Sequence, residues 1–298
     1  MAGKLAVQEQ RMIKLRPNDP GGLYPPYFCV LKSPNSFRSG LAMMHTPFRT
    51  LLALLLPLAF AGCGPDEEVE PTPMPPTTTG TLRIKVVPEW EGGAFAMNSV
   101  YTNVSDYRVK VEAIKFYLGD VRVLNGSSET MVKDIAFFNL GEGRDTLLAT
   151  VPAGTWTGLR IGLGVPQELN DADPIVYPSG HPLDLANAMY WTWSQAYRFL
   201  IFDGRYDLDA GGTDPPAEPF SMHTGLNECY MEFDLDLGTG VTITAGNTTT
   251  LTVHLAVDHF FYSGTETLDL ATENQTHGTN LPLALELSNN AAQSFSVE

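Results

Sequence analysis

Two imidazoles, two thioethers and two indoles fall within one stretch of this chain. His181 leads to Met189-Tyr-Trp191-Thr-Trp193, an acidic loop follows, and Met222-His223 closes it. Neutral imidazole nitrogen suits copper or zinc, and the sulfurs of Met189 and Met222 favour Cu(I). Indoles close to a redox metal can be oxidised or help to move electrons. If Met189 to Phe199 is extended, its side chains alternate, so that Met189, Trp191, Trp193, Gln195, Tyr197 and Phe199 share one face. Arg198 then points the other way, toward an ion pair or a loop. Plain packing accounts for the same residues differently, with the tryptophans filling a core and the methionines acting as apolar filler.

Other residues add weaker candidates. His254 and His259 differ by five positions, so an uninterrupted strand puts them on opposite faces and they are not expected to share an ion. Cys229 is a small hydrophobe if buried and a thiolate ligand if exposed beside a metal. Asp207, Asp209 and Asp214 alternate around glycines in a candidate calcium loop, with Asn170-Asp171-Ala-Asp173 a second of the same kind. Neither has the full twelve-residue calcium pattern, and a solvated acidic loop is the plainer account. The chain has no Gly-x-Ser-x-Gly elbow, phosphate loop, dinucleotide fingerprint or His-Glu-x-x-His, so binding rather than enzymatic catalysis is expected.

The elements that position these residues are short alternating runs: Thr81 to Val87, Tyr107 to Leu118, Val121 to Leu124, Gly158 to Leu163 and Thr249 to Val257. Asn125-Gly126, Pro152-Ala-Gly154 and Ala245-Gly-Asn247 punctuate them as turns between antiparallel neighbours. The expected fold is all-β, an antiparallel β-sandwich of immunoglobulin-like or related type with long loops. Near Pro282 to Ala292 a helix competes with a strand, because Leu283, Leu285 and Leu287 alternate.

Upstream of this domain the chain reads as an address. Met43 to Arg49 is a short basic region, Thr50 to Ala61 is apolar, and small residues precede Cys63, the pattern of a cleaved export signal over residues 43–62. Leu58-Ala-Phe-Ala-Gly-Cys63 resembles a bacterial lipobox, which implies lipid on the Cys63 sulfur and an outer-membrane lipoprotein facing the periplasm or the cell surface. Residues 1–42 read as an upstream mis-start or extension, residues 63–80 as a Pro/Thr/acidic tether, and residues 81–298 as the folded domain. Of 18 basic and 34 acidic residues, seven and two lie before Cys63, which leaves 11 and 32 and a net charge of −21. A surface so acidic repels phosphate backbones, so nucleic acid is excluded as an expected partner. With Cys29 upstream and Cys63 assigned to lipid, Cys229 has no partner for a disulfide within the mature chain.

Tyr107 to Leu118, Gly162-Leu-Gly-Val-Pro166, Met189 to Phe199 and His223-Thr-Gly225 together resemble the MbnP-like copper-binding family, associated with methanobactin operons and related to MopE. His277-Gly-Thr-Asn280 through Asn289 and Phe295 is similar to that family's C-terminal pattern. The resemblance implies a mainly β, periplasm-facing protein that binds copper, with a di-haem partner of the cytochrome c peroxidase type that converts a tryptophan to kynurenine. Trp191 and Trp193 both match the aromatic block and are both candidates for that modification, and His223 matches its downstream histidine. This chain has His-Thr-Gly where the family usually has His-Leu-Gly. The implied ligands are His223, His181 and His277, then Met189, with His254 and His259 behind; His181 would approach His223 if their strands pair. A metal-free sandwich that uses its aromatic face to bind sugar or protein at the cell surface is the alternative.

Overall fold

The computed structural model describes residues 78–264, 267–278 and 280–297. The signal at 43–62, lipidation at Cys63 and all but the end of the tether lie outside the described residues. In chain order the strands are β1 (Thr79–Trp90), β2 (Gly93–Ala94), β3 (Val100–Thr102), β4 (Arg108–Asn125), β5 (Ser128–Asn139), β6 (Thr146–Pro152) and β7 (Gly154–Leu163), then β8 (Tyr190–Trp191), β9 (Ala196–Asp207), β10 (Glu218–Gly225), β11 (Met231–Ile243), β12 (Thr248–Ala256), β13 (Gln275–His277) and β14 (Phe295–Ser296). A short helix α1 (Gln167–Asn170) opens the long loop before β8, and α2 (Leu281–Gln293) precedes β14. No helix among the described residues is long and apolar enough to cross a membrane.

The architecture is an all-β sandwich, as the alternating runs predict. Five strands form one sheet in the order β14-β12-β1-β2, with β6 also on β1; nine form the other around β11-β7-β4-β9-β10-β13. Period-two patterning explains the packing directly: in β1, Leu82, Ile84 and Val86 are buried while Arg83 and Lys85 face out. One feature corrects the purely antiparallel expectation. β1 pairs with β12 in parallel, and so does β10 with β13. Local alternation carries no information about strand direction, because both pairings expose the same two-residue period. The runs 107–118 and 121–124 are likewise a single strand, β4, whose pairing is interrupted by bulges.

Two cores result. The larger lies between the sheets and includes Ile84, Val111, Phe116, Leu200, Phe202, Phe220 and Phe261. The smaller lies on the opposite face of the nine-stranded sheet, where Tyr117, Phe137, Leu183, Met189, Tyr197, Phe199, Ile201 and Cys229 pack together. A strand covered on both faces needs apolar residues at successive positions, which accounts for the unbroken run Phe199-Leu-Ile-Phe202. Helix α2 touches both cores: Leu283, Leu287 and Ala291 join the larger one and Ala284 the smaller. It begins at Leu281 with Pro282 in its first turn, and Leu283, Leu287 and Ala291 are buried at a spacing of four. Helical spacing therefore prevails over the Leu283/Leu285/Leu287 alternation, and Leu285 is only partly buried.

Candidate functional site

Strand register brings two of the sequence candidates side by side. Along β10, Ser221 faces Asp203 of β9 and His223 faces Ile201. On the other edge of β10, Ser221 faces Gln275 and His223 faces His277. In-register neighbours share a face of the sheet, so Asp203, Ser221, His223, Gln275 and His277 gather on the side of the smaller core. The alternate positions Phe202, Phe220 and Met222 face the larger core.

The two imidazoles lie 4.7 Å apart between ring centres, inclined by 60°. Nε2 of His223 reaches both Asp203 oxygens, at 2.9 and 3.1 Å. The Ser221 hydroxyl donates to Asp203 Oδ1 at 2.8 Å and lies 3.1 Å from His277 Nε2. Gln275 Nε2 sits 3.1 Å from His277 Nδ1. His223 is 8% exposed, and its Nδ1 is buried with no hydrogen-bond partner. Leaving such an atom unsatisfied costs about 1–3 kcal/mol, so its lone pair is open to an ion or a water. The His277 imidazole is held below its usual pKa range by burial and by the neighbouring His223, which keeps the ring neutral and its lone pair available. A cleft of about 430 Å³, lined by Tyr206, Glu218, Asn274 and His277 among others, opens this end of the site to solvent.

The tryptophans depart from the extended-strand expectation. β8 and β9 form a hairpin in which Tyr190 faces Tyr197 and Trp191 faces Ala196, with residues 192–195 as the turn. Met189 to Phe199 thus do not share one face. Trp191 is 5% exposed and Trp193 is 61% exposed, so Trp193 fills no core. Their rings remain in contact, with centres 5.3 Å apart. The Trp191 ring packs on Gly225, two residues after His223, and on Gly278, immediately after His277. The Arg198 guanidinium lies 6.0 Å from the Trp191 ring, and its Nε is buried without a partner rather than engaged in the expected ion pair or loop bond. Burial lowers the pKa of that guanidinium.

A Cβ at Gly225 would come within 2.5 Å of Trp191 Cζ3 and 2.6 Å of the Tyr197 carbonyl oxygen. Gly225→Ala is expected to displace the indole and to cost about 1–3 kcal/mol through overpacking. A red-shifted Trp191 fluorescence and a lower urea midpoint would register it; an unchanged spectrum would contradict the contact.

The remaining candidates are placed elsewhere. His181 is not on a strand: its Nδ1 accepts from the Leu183 amide, and its ring stacks on Tyr177 at 4.6 Å, so the condition for its approach to His223 is not met. Met189 is fully buried in the smaller core. His254 Nδ1 pairs with Glu89 at 2.6 Å, and His259 lies in a single 3-10 turn after β12. Cys229 is buried, and burial raises its thiol pKa. In the acidic loop, Asp207 accepts from Arg108 and from the Asp209 amide, Asp209 accepts from the Gly211 amide, and the carbonyl of Asp214 accepts from Arg108. Asp171 accepts from Gln167 and Asn227. No preassembled cage of three or more His, Cys, Asp or Glu occurs among the described residues. The cluster is instead a pair of adjacent imidazoles, His223 bonded to the Asp203 carboxylate directly and His277 through Ser221.

Sequence reasoning missed Asp203, Ser221 and Gln275. Asp203 did carry a signal, as a lone charge at the end of the apolar run Phe199 to Phe202 within a two-sided buried strand. Ser221 and Gln275 carried none, since their place follows from pairing between distant segments.

The family model described as MbnP matches residues 79–280. Among solved structures, MbnP from Methylosinus trichosporium is similar, with 13% sequence identity and a TM-score of 0.48, over 74% of this chain and 98% of that one. No curated protein matches.

Proposed function

This chain belongs to the MbnP family, and from that premise we propose that it is an exported lipoprotein that binds copper through His223 and His277. The observation that carries the reading is the buried, partnerless Nδ1 of His223 beside a second imidazole whose pKa is depressed. Imidazole nitrogen is a suitable donor for copper, and a carboxylate on the far side of a ligating ring is the usual arrangement around metal-bound histidine. His181 and Met189 are engaged elsewhere and are left out of the proposed ligand set. The bound ion is the cargo, and the chain itself is not an enzyme.

The proposed modification falls on this indole pair. Trp191 packs against the backbone that follows both histidines, so its conversion to kynurenine would put a new amine and carbonyl beside the ligands. Trp193 stands at the surface, where a di-haem partner can approach it. Lipid on Cys63 and the tether behind it would hold the domain at the outer membrane.

Metal-free protein titrated with Cu(I) is expected to take up one ion per chain. Protein from the native host should also carry a lipid mass at Cys63 and an oxidative mass change that maps to Trp191. A chain that takes up no added Cu(I) would remove the copper reading and leave exposed Trp193 as a stacking surface for sugar or protein. A chain that binds copper with both tryptophans intact would remove only the modification.

A further inference from the structure

We infer that Asp203, directly and through Ser221, fixes both imidazoles in the Nε2–H form and so presents Nδ1 of each ring as the metal-binding atom. Asp203 is thereby a positioning residue. The inference rests on the copper reading for the identity of the ion, whereas the proton positions are a property of the metal-free protein.

The order of donors and acceptors follows from what each group can do. An ionised carboxylate only accepts, so the contacts of 2.9 and 3.1 Å from His223 Nε2 require a proton on that nitrogen. The Ser221 hydroxyl has one hydrogen, and the 2.8 Å contact commits it to Asp203 Oδ1. Its oxygen is then an acceptor for His277 Nε2 at 3.1 Å, which puts the proton of His277 on Nε2 as well. The Gln275 amide fits the same order: with its Nε2 3.1 Å from His277 Nδ1, that atom is the acceptor.

Opposite each protonated nitrogen, the fate of the lone pair differs. On His277 it receives the Gln275 amide, a group that an ion can displace at the mouth of the cleft. On His223 it receives nothing and is buried. Moving the proton to Nδ1 would leave a buried N–H without an acceptor there and a bare nitrogen facing the carboxylate. Asp203 makes that exchange unfavourable, which explains how an unsatisfied nitrogen persists. Hydrogen bonding to an anion also raises the basicity of the ligating imidazole and so strengthens metal binding.

Long-range 15N–1H correlation spectra of the metal-free protein would assign the protonated nitrogen of each ring. Both rings should be protonated at Nε2. Asp203→Ala should release His223 into a mixture of forms and weaken copper binding by about 10–100-fold. Asp203→Asn, whose Oδ1 can still accept, should keep the tautomer and retain more affinity; it also serves as the test if the alanine variant does not fold. Ser221→Ala should loosen His277 more than His223, which keeps its direct contacts with Asp203. A wild-type His223 protonated at Nδ1, or tautomers indifferent to Asp203→Ala, would overturn the inference. So would expected tautomers in variants that bind copper as tightly as wild type. Expected tautomers in a wild-type chain that binds no copper would support the hydrogen-bond order and remove the copper reading instead.

Discussion

Replacing His223 by alanine is expected to lower copper affinity by more than about 100-fold, beyond the range typical of losing an outer hydrogen-bond partner. The same is expected of His277→Ala, whereas His181→Ala should bind like wild type, because His181 is tied to Leu183 and Tyr177. Calorimetric titration of the three variants separates them. Thermal melts give a second readout. At a copper concentration of about 100 times Kd, wild type should gain about 2.7 kcal/mol of stability, and the His223 variant should gain almost none. In the absence of metal, the variant loses ring packing but also loses the unsatisfied buried nitrogen, so its stability should fall by less than a core truncation of similar size. Wild-type affinity in His223→Ala would refute the ligand assignment.

Phe202→Ala is expected to have the largest effect on the fold, a loss of about 3–5 kcal/mol in urea unfolding. Phe202 is fully buried, and its ring centre lies 5.1 Å from Phe220, 5.0 Å from Phe260 and 5.1 Å from Phe261. It also neighbours Asp203 along β9, on the opposite face of the strand. A cavity there loosens the sheet on which the carboxylate stands, so copper binding should weaken as well. The comparison with His223→Ala is informative, since that substitution should remove binding while sparing most of the stability. A Phe202→Ala protein as stable as wild type would contradict the shared aromatic core.

The sandwich was legible because its strands are mostly one-sided, and a one-sided strand writes its face into a two-residue period. β1 shows this directly, with Arg83 and Lys85 between buried aliphatic residues. The hairpin at Trp191 was not legible, since residues 192–195 contain neither glycine nor proline. The turn instead places Gln195 at φ 53°, a left-handed conformation that no local signal announces. His223 and His277 were both recognised as candidates, but what joins them is a parallel pairing of β10 with β13. Such a pairing brings together segments with no shared local pattern. His181 lies apart for the complementary reason: it is near the aromatic block in sequence, but the loop from Pro178 to Asn187 bonds within itself.

The parallel pairing also bears on timing. Ser221 and His277 are 56 positions apart along the chain, and β13 is only three residues long. Before folding, the imidazoles that end up side by side across β10 and β13 are separated by a length of chain whose closure carries an entropic cost. On the proposed reading of export and copper binding, a chain threaded unfolded through a secretion channel would have no assembled chelate to fill on the way. The compartment where the chain folds, rather than the one where it is translated, would then decide which ion it meets.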